Sequence, residues 1–161
     1  NLADVIKVTG AQYFINGVGG VGDNHYHKQA WDTAVKVLFP LSYIHGLFTY
    51  AIHAGGSGLV AMPSAYIGDD VRIGDNVLIN TGAIIEHDCA ISDHVHIAPG
   101  TILCGNVTVG EGAHVGAGAV VRQGIHIGAW SVVGCGAVVV KDVSDGVTVV
   151  GNPARLIRGR E

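Results

Sequence analysis

Residues 67–103 read IGDDVRIGDNVLINTGAIIEHDCAISDHVHIAPGTIL, with an aliphatic residue at every sixth position. Followed downstream, the same register runs Ile67, Ile73, Ile79, Ile85, Ile91, Ile97, Leu103, Val109, Val115, Val121, Ile127, Val133 and Val139 without a break. The position four residues further on is apolar or small in every repeat, from Val71 and Val77 through Ala83 and Cys89 to Val143. A short fixed period of this kind marks a β-helix, in which each repeat stacks on its neighbours. Sandwich strands recur at roughly 8–12 residues and do not hold a period of six. Each hexad reads as a short strand and a tight corner. The aliphatic side chain points inward and its two neighbours point outward, because side chains alternate along a strand. Gly follows the aliphatic at positions 68, 74, 110, 116, 128 and 134, and Gly and Asn near the corners supply the positive φ that sharp bends require. No insertion interrupts the hexads, so a smooth prism is expected.

The rest of the composition agrees. A chain of 161 residues suggests one domain, or one domain with a fragment of another. A formal charge of −4 argues against a nucleic-acid-binding surface. Charged residues make up 14%, against roughly 25% in an average domain. Mean hydropathy is +0.41, yet no apolar run approaches the ~18 residues of a membrane helix. The apolar excess is therefore periodic, and part of it is expected between subunits. Three cysteines, Cys89, Cys104 and Cys135, do not make a disulfide framework. No signal peptide opens the chain, and Asn1 is not a natural start. The expectation is a cytoplasmic protein that begins upstream of Asn1.

Residues 1–52 lack the hexad. Ala11–Asn16 reads as a strand. His25–Leu38 reads as a helix with Ala30, Ala34, Val37 and Leu38 on one stripe and Asp23 or Asn24 as its cap. Leu47–Ile52 reads as a second strand, which makes a βαβ unit. Gly17, Gly19 and Gly22 satisfy G-x-G-x-x-G between strand and helix, a pattern that offers backbone N–H groups to a phosphate. The acidic residue of a dinucleotide site, about 20 positions on, is missing; a plain tight turn is the other reading. The expected division is 1–52 as a partial α/β segment resembling a sugar-nucleotide-binding domain, 53–150 as the β-helix and 151–161 as a tail.

Between Leu78 and Cys89 polar and acidic residues replace the small ones of other hexads, and His87 stands beside Asp88 at a corner. A carboxylate beside an imidazole fixes its tautomer and stabilises its charged form, which suits a general base. A solvated surface His beside a surface Asp is the alternative that spacing leaves open.

Asn80-Thr81-Gly82, Glu86-His87-Asp88-Cys89, His94-Val95-His96-Ile97-Ala98-Pro99-Gly100, Cys104-Gly105-Asn106 and Gly151-Asn152-Pro153-Ala154 resemble the hexapeptide-repeat acyltransferases of the sialic-acid O-acetyltransferase and UDP-4-amino-sugar N-acetyltransferase family, over about 60–161. The resemblance implies a mainly β fold, a left-handed parallel β-helix with three hexads per turn, here a little over four turns. It implies a homotrimer and acetyl-CoA as cosubstrate, with no metal. It also implies roles: His87 as general base, Asp88 as its acidic neighbour, His96 at the thioester end of acetyl-CoA, Asn80 near the site, and the Gly105 N–H as oxyanion donor. With eighteen residues per turn, Ile84, Ile102, Val120 and Val138 form an outward apolar column, either a subunit interface or a face covered by a C-terminal helix. A second outward column reads Leu78, His96, His114, Val132. If a neighbour packs on the Ile84 column, the pantetheine arm is expected in the groove against Ala117, Gly118 and Ala119. Lys141 and Arg155 could then reach the CoA phosphates. Asn80, Glu86 and Gly19 are candidate contacts for the acceptor. Cys89 is expected inward, as core filler.

The function expected is acetyl transfer from acetyl-CoA to an amino or hydroxyl group of a nucleotide-linked sugar, by direct attack. Two other classes share the fold. A β-helix carbonic anhydrase would need three converging His nitrogens, and no two His here have the spacing of five those enzymes use. A non-catalytic scaffold would leave Glu86-His87-Asp88 without a task.

Overall fold

In the computed structural model the described residues are 12–16, 24–36, 38–40, 43–44 and 54–158. From Ala54–Gly55 to Val138–Val139, two-residue strands recur every six residues. Each pairs in parallel with the strand eighteen residues away, as Ile84 pairs with Ile102 and Ile102 with Val120. The result is a mainly β, three-sided parallel β-helix of about five turns, of the left-handed kind that hexapeptide repeats build.

The inside is built from two residues per hexad. Ile67, Ile79, Ile85, Ile97, Leu103 and Ile127 are fully buried, and so are the residues four further on, such as Val71, Val77, Ala83 and Val107. These two positions must be apolar or small whatever the outer residues do, which is why the sixfold pattern survives so clearly.

The glycines divide into two sets with different causes. Left-handed backbone occurs at every sixth residue from Gly58 to Gly136, three places after the inward aliphatic. That series includes Asp70, Asn76, Asp88, His94 and Asn106, since short polar side chains tolerate positive φ. The glycines directly after the aliphatics have another cause. A Cβ on Gly116 would lie 2.6 Å from Val133 O, on the next rung. Close approach of stacked backbone, not φ, selects Gly there.

Three features mark the ends of the solenoid. Its first strand lies two hexads before Ile67, where Gly55 and Ala61 occupy the inward register without a branched aliphatic. The last rung is shorter: Ile127 bridges Val143, and Val133 pairs Val149, both sixteen residues on. Then Arg155–Arg158 turns back antiparallel on Thr148–Val150.

The three faces differ in character. One carries Tyr66, Ile84, Ile102, Val120 and Val138 outward, and Ile84, Ile102, Val120 and Val138 are only half-buried. The second carries Val60, Leu78, His96, His114 and Val132; the first four of these are buried. The third carries Arg72, Ala90, Thr108 and His126, a face suited to water.

The N-terminal segment contains a βαβ unit. β1 (Tyr13–Phe14) runs parallel to β2 (Phe39–Pro40), with α1 (His25–Ala34) between them. The helix ends at Ala34, short of Leu38, because Phe39 precedes Pro40 and is held extended. The strand pairing with β1 is therefore not the one expected at Leu47–Ile52, of which 47–52 lie outside the described residues. The buried stripe of α1 is His27, Trp31 and Ala34. Asn24 stands at the N-cap but makes no side-chain cap bond. Its Nδ2 instead donates to Ala113 O at 3.0 Å and His94 O at 3.3 Å.

Helix α1 lies along the corner formed by Gly58, Asn76, His94, Gly112 and Trp130. Asn24 meets the rung of His94, His27 meets Asn76, and Trp31 packs where a side chain on Gly58 would stand. The spacing is natural: rungs about 4.8 Å apart match about three residues of helix at 1.5 Å each. His25 stacks on Trp130 with ring centroids 4.3 Å apart.

Candidate functional site

His87 sits at the corner between the Ile84 and Thr108 faces, in a column with Asp69, Gly105 and Gln123, and the shortened last rung brings Lys141 round the same corner. Backbone bonds hold the corner to its neighbours: Asp88 N–H donates to Asp69 O at 3.0 Å, and Asn106 N–H donates to His87 O at 2.9 Å. Asp88 adopts φ +61°, which turns its carboxylate back onto the imidazole. His87 Nδ1 and Asp88 Oδ2 are 2.7 Å apart.

A carboxylate accepts only, so Nδ1 carries the proton and Nε2 presents a lone pair outward. Both side chains are exposed, at 64% and 57%. The hydrogen bond to Asp88 raises the His87 pKa above its ordinary value, and the charges of Asp88, Glu86 and Asp69 add to this. A base of that kind stays neutral only above the usual imidazole range, and then it is a stronger proton acceptor.

The ring leans over the next rung. A Cβ on Gly105 would stand 2.7 Å from Cε1 and 2.8 Å from Nε2 of His87. The Gly105 N–H has no acceptor among the described residues. One lone pair and one unspent donor thus lie side by side at the surface, the pairing that acyl transfer needs.

A second group forms elsewhere. Asn80 Oδ1 accepts from Thr81 N–H at 2.8 Å, which leaves its Nδ2 to donate to His96 Nε2 at 3.3 Å. His96 packs edge-on against His114, with ring centroids 4.8 Å apart. Both rings are buried, and burial brings the His114 pKa down to about 4, with the His96 charge adding to the fall. The spacing of eighteen put His114 in the His96 column, and the two are register partners; the motifs alone gave His114 no place in the site.

Asn80 and His96 are close to His87 in sequence but not in space. The whole Ile84 face separates them from it within one chain. Ala117, Gly118 and Ala119 lie on the corner beside Asn80, not on the His87 corner. Ala119 is fully buried, so only Ala117 and Gly118 of that trio face outward. Glu86 is half-buried one residue before His87. Gly19, with Gly17, Gly20 and Gly22, lies outside the described residues. Cys89 is fully buried, its thiol directed at Cys104 O at 3.3 Å, and burial pushes its pKa up. That is core filler and no nucleophile. Among the described residues no three His, Cys, Asp or Glu side chains gather in one chain as a metal site would require.

Three rungs above His87, Lys141 borders a cavity of about 320 Å³ at the C-terminal end of the solenoid. Val139, Val143 and Val149 line it, with Arg155 on its rim.

Comparison with known proteins identifies the family. The bacterial transferase hexapeptide (six repeats) profile matches residues 70–105 and 88–123. The acetyltransferase domain of PglB from Neisseria gonorrhoeae FA1090, also solved with acetyl coenzyme A, is 37% identical with a TM-score of 0.80, over 85% of this chain and 68% of that one. PerB from Caulobacter crescentus, solved with CoA and GDP-perosamine, is 34% identical with a TM-score of 0.88, over 98% of this chain and 76% of that one. WeeI from Acinetobacter baumannii AYE is 30% identical with a TM-score of 0.77, over 85% and 68%. No curated protein sequence matches the chain.

Proposed function

Since the chain belongs to the hexapeptide-repeat sugar acetyltransferases, we propose that it transfers the acetyl group of acetyl-CoA to the amino group of a nucleotide-linked sugar, with His87 as general base. The observation that carries this reading is the His87 ring itself: tied to Asp88 through Nδ1, open at Nε2, and laid over Gly105.

The acceptor amine attacks the thioester carbonyl carbon. His87 Nε2 removes a proton from the attacking nitrogen, and Asp88 stabilises the imidazolium that forms. The Gly105 N–H donates to the oxygen that becomes negative. Collapse re-forms the carbonyl and breaks the C–S bond. His87 returns its proton to the leaving sulfur, so the products are the N-acetyl sugar and CoA thiol. The acidic surroundings of His87, with Asp88, Glu86 and Asp69 all acting on its charge, attract an acceptor that arrives as an ammonium, which gives one proton to solvent before the neutral amine attacks and passes its second to His87. That supports an amine over a hydroxyl. The solved relatives that bind GDP-perosamine are named for N-acetyl transfer.

The half-buried Ile84 column calls for a cover, and the reading takes it to be a second copy in a homotrimer. A neighbour seated there brings its own Asn80 and His96 to the far side of the His87 groove, which one chain alone cannot do. Lys141 stands on the same corner as His87, on the third rung beyond it, about 14 Å at the rung spacing. That is of the order of an extended pantetheine arm, so Lys141 and Arg155 are taken as contacts for the CoA phosphates.

The test is thiol release from acetyl-CoA against nucleotide-linked amino sugars and their hydroxyl counterparts. Turnover with an amino sugar, lost by about 10²–10⁴-fold in His87→Ala, is expected. Turnover with hydroxyl sugars alone overturns the amine assignment, and full activity in His87→Ala overturns the base.

A further inference from the structure

A buried polar chain joins the N-terminal segment to the solenoid at a corner the proposed chemistry does not use. Asn16 Nδ2 donates to Asn76 Oδ1 at 2.8 Å and to His27 O at 3.0 Å. His27 Nε2 donates to Asn76 O at 2.9 Å, and Asn76 Nδ2 donates to His94 Nδ1, also at 2.9 Å. All four residues are buried.

The donor and acceptor inventory leaves little freedom. The Asn76 amide oxygen is taken by Asn16, so its NH2 end faces His94. His94 Nδ1 must therefore be a bare acceptor, with the ring proton on Nε2. A proton added at Nδ1 would face an N–H. Turning the Asn76 amide over to offer oxygen would set its NH2 against that of Asn16. No orientation of Asn76 satisfies both neighbours once His94 is charged, and an unsatisfied buried donor is costly.

We propose that this chain is a pH-sensitive latch, which holds α1 and β1 on the solenoid while His94 is neutral and loosens them on acidification. The charged groups facing His94 are Lys28 and Asp32 of α1, which pair with each other at 2.7 Å, and Asp93 and Glu111 of the solenoid. Burial outweighs them: the His94 pKa is lowered, with Lys28 adding to the fall and the three carboxylates opposing it. The unfolded or undocked state binds the proton more readily than the docked one. Docking is therefore strongest above the ordinary imidazole value of 6.5 and weakens as pH falls below it through the lowered value.

The latch is tested by amide hydrogen exchange of residues 25–34 in the full chain, corrected for the intrinsic pH dependence of exchange. Protection should fall between about pH 7 and pH 5, by up to about tenfold per pH unit, the limit for one proton. Solenoid amides such as Ile97 and Val115 should keep theirs. His94→Asn leaves an acceptor at the same branch point, tolerates the positive φ of 63° at that residue, and should flatten the response. Asn76→Asp keeps an oxygen for Asn16 and turns another toward His94. It should reverse the response, so that protection rises as pH falls. Protection of α1 that ignores pH in the wild type, or that falls equally in His94→Asn and Asn76→Asp, overturns the latch. The readout is docking and not turnover, so its outcome is separate from that of the acetyl-transfer test.

Discussion

The His87 ring rests on the bare Cα of Gly105, close enough that a methyl group there would stand 2.7 Å from Cε1. Gly105 has no positive φ to explain it, so the space above it is the reason for glycine. Gly105→Ala should push the imidazole out of its groove and lower kcat by about 10²-fold or more, as loss of a positioned base or donor does. Circular dichroism and assembly should stay unchanged, because the added methyl group faces outward. Wild-type kcat in Gly105→Ala would refute the stacked arrangement.

The bond from His87 Nδ1 to Asp88 raises the His87 pKa, and only neutral His87 can accept a proton. The acid limb of the kcat/KM profile is therefore expected above the ordinary imidazole value of 6.5. In Asp88→Asn the main cause of the rise is gone, and the limb should move to lower pH while the plateau drops. A limb that stays in place in Asp88→Asn would assign it to another group.

How much of this could be read from residues alone depends on what each position has to satisfy. The inward aliphatics face one environment, so chemistry repeats there and the β-helix is plain. The left-handed positions ask only for tolerance of positive φ. Ser64, Asp70, Asn76, His94 and even Trp130 meet that demand, so the series is invisible in the sequence. Gly55 and Ala61 fill the inward register without branching, so the aliphatic series taken alone starts two strands late. For the site, motif order misleads: Asn80 and His96 flank His87 in sequence but lie across a face from it. Gly105, eighteen residues away, touches it. Of the expected helix stripe Ala34 and Leu38 are buried, Ala30 is only half-buried and Val37 lies outside the described residues; Trp31 and His27, which the stripe left out, meet the solenoid.

Lys141 shares the His87 corner and borders the C-terminal cavity with Arg155. If it meets the CoA phosphates, Lys141→Ala removes a charge-assisted contact of ~1.5–3 kcal/mol, and KM for acetyl-CoA should rise about tenfold or more with kcat nearly unchanged. Acetyl-pantetheine, which lacks the nucleotide phosphates, should be used equally well by both proteins. An equal KM rise for the two donors would show that Lys141 acts on the fold and not on the phosphates.

Ile84, Ile102, Val120 and Val138 form one half-buried aliphatic strip between the two corners that carry the candidate site. Placing a charge in its middle, Ile102→Glu, leaves the core residue Leu103 untouched, so the solenoid should fold with normal circular dichroism. A carboxylate buried against a neighbouring strip has no partner there. If the strip is the interface of the proposed trimer, sedimentation should then show monomers. Activity should fall with assembly, since a lone chain keeps His87 and Gly105 but loses the neighbour's Asn80 and His96. A monomeric Ile102→Glu protein with full turnover would mean that one corner suffices, and the composite groove would have to be abandoned while the His87 base stood.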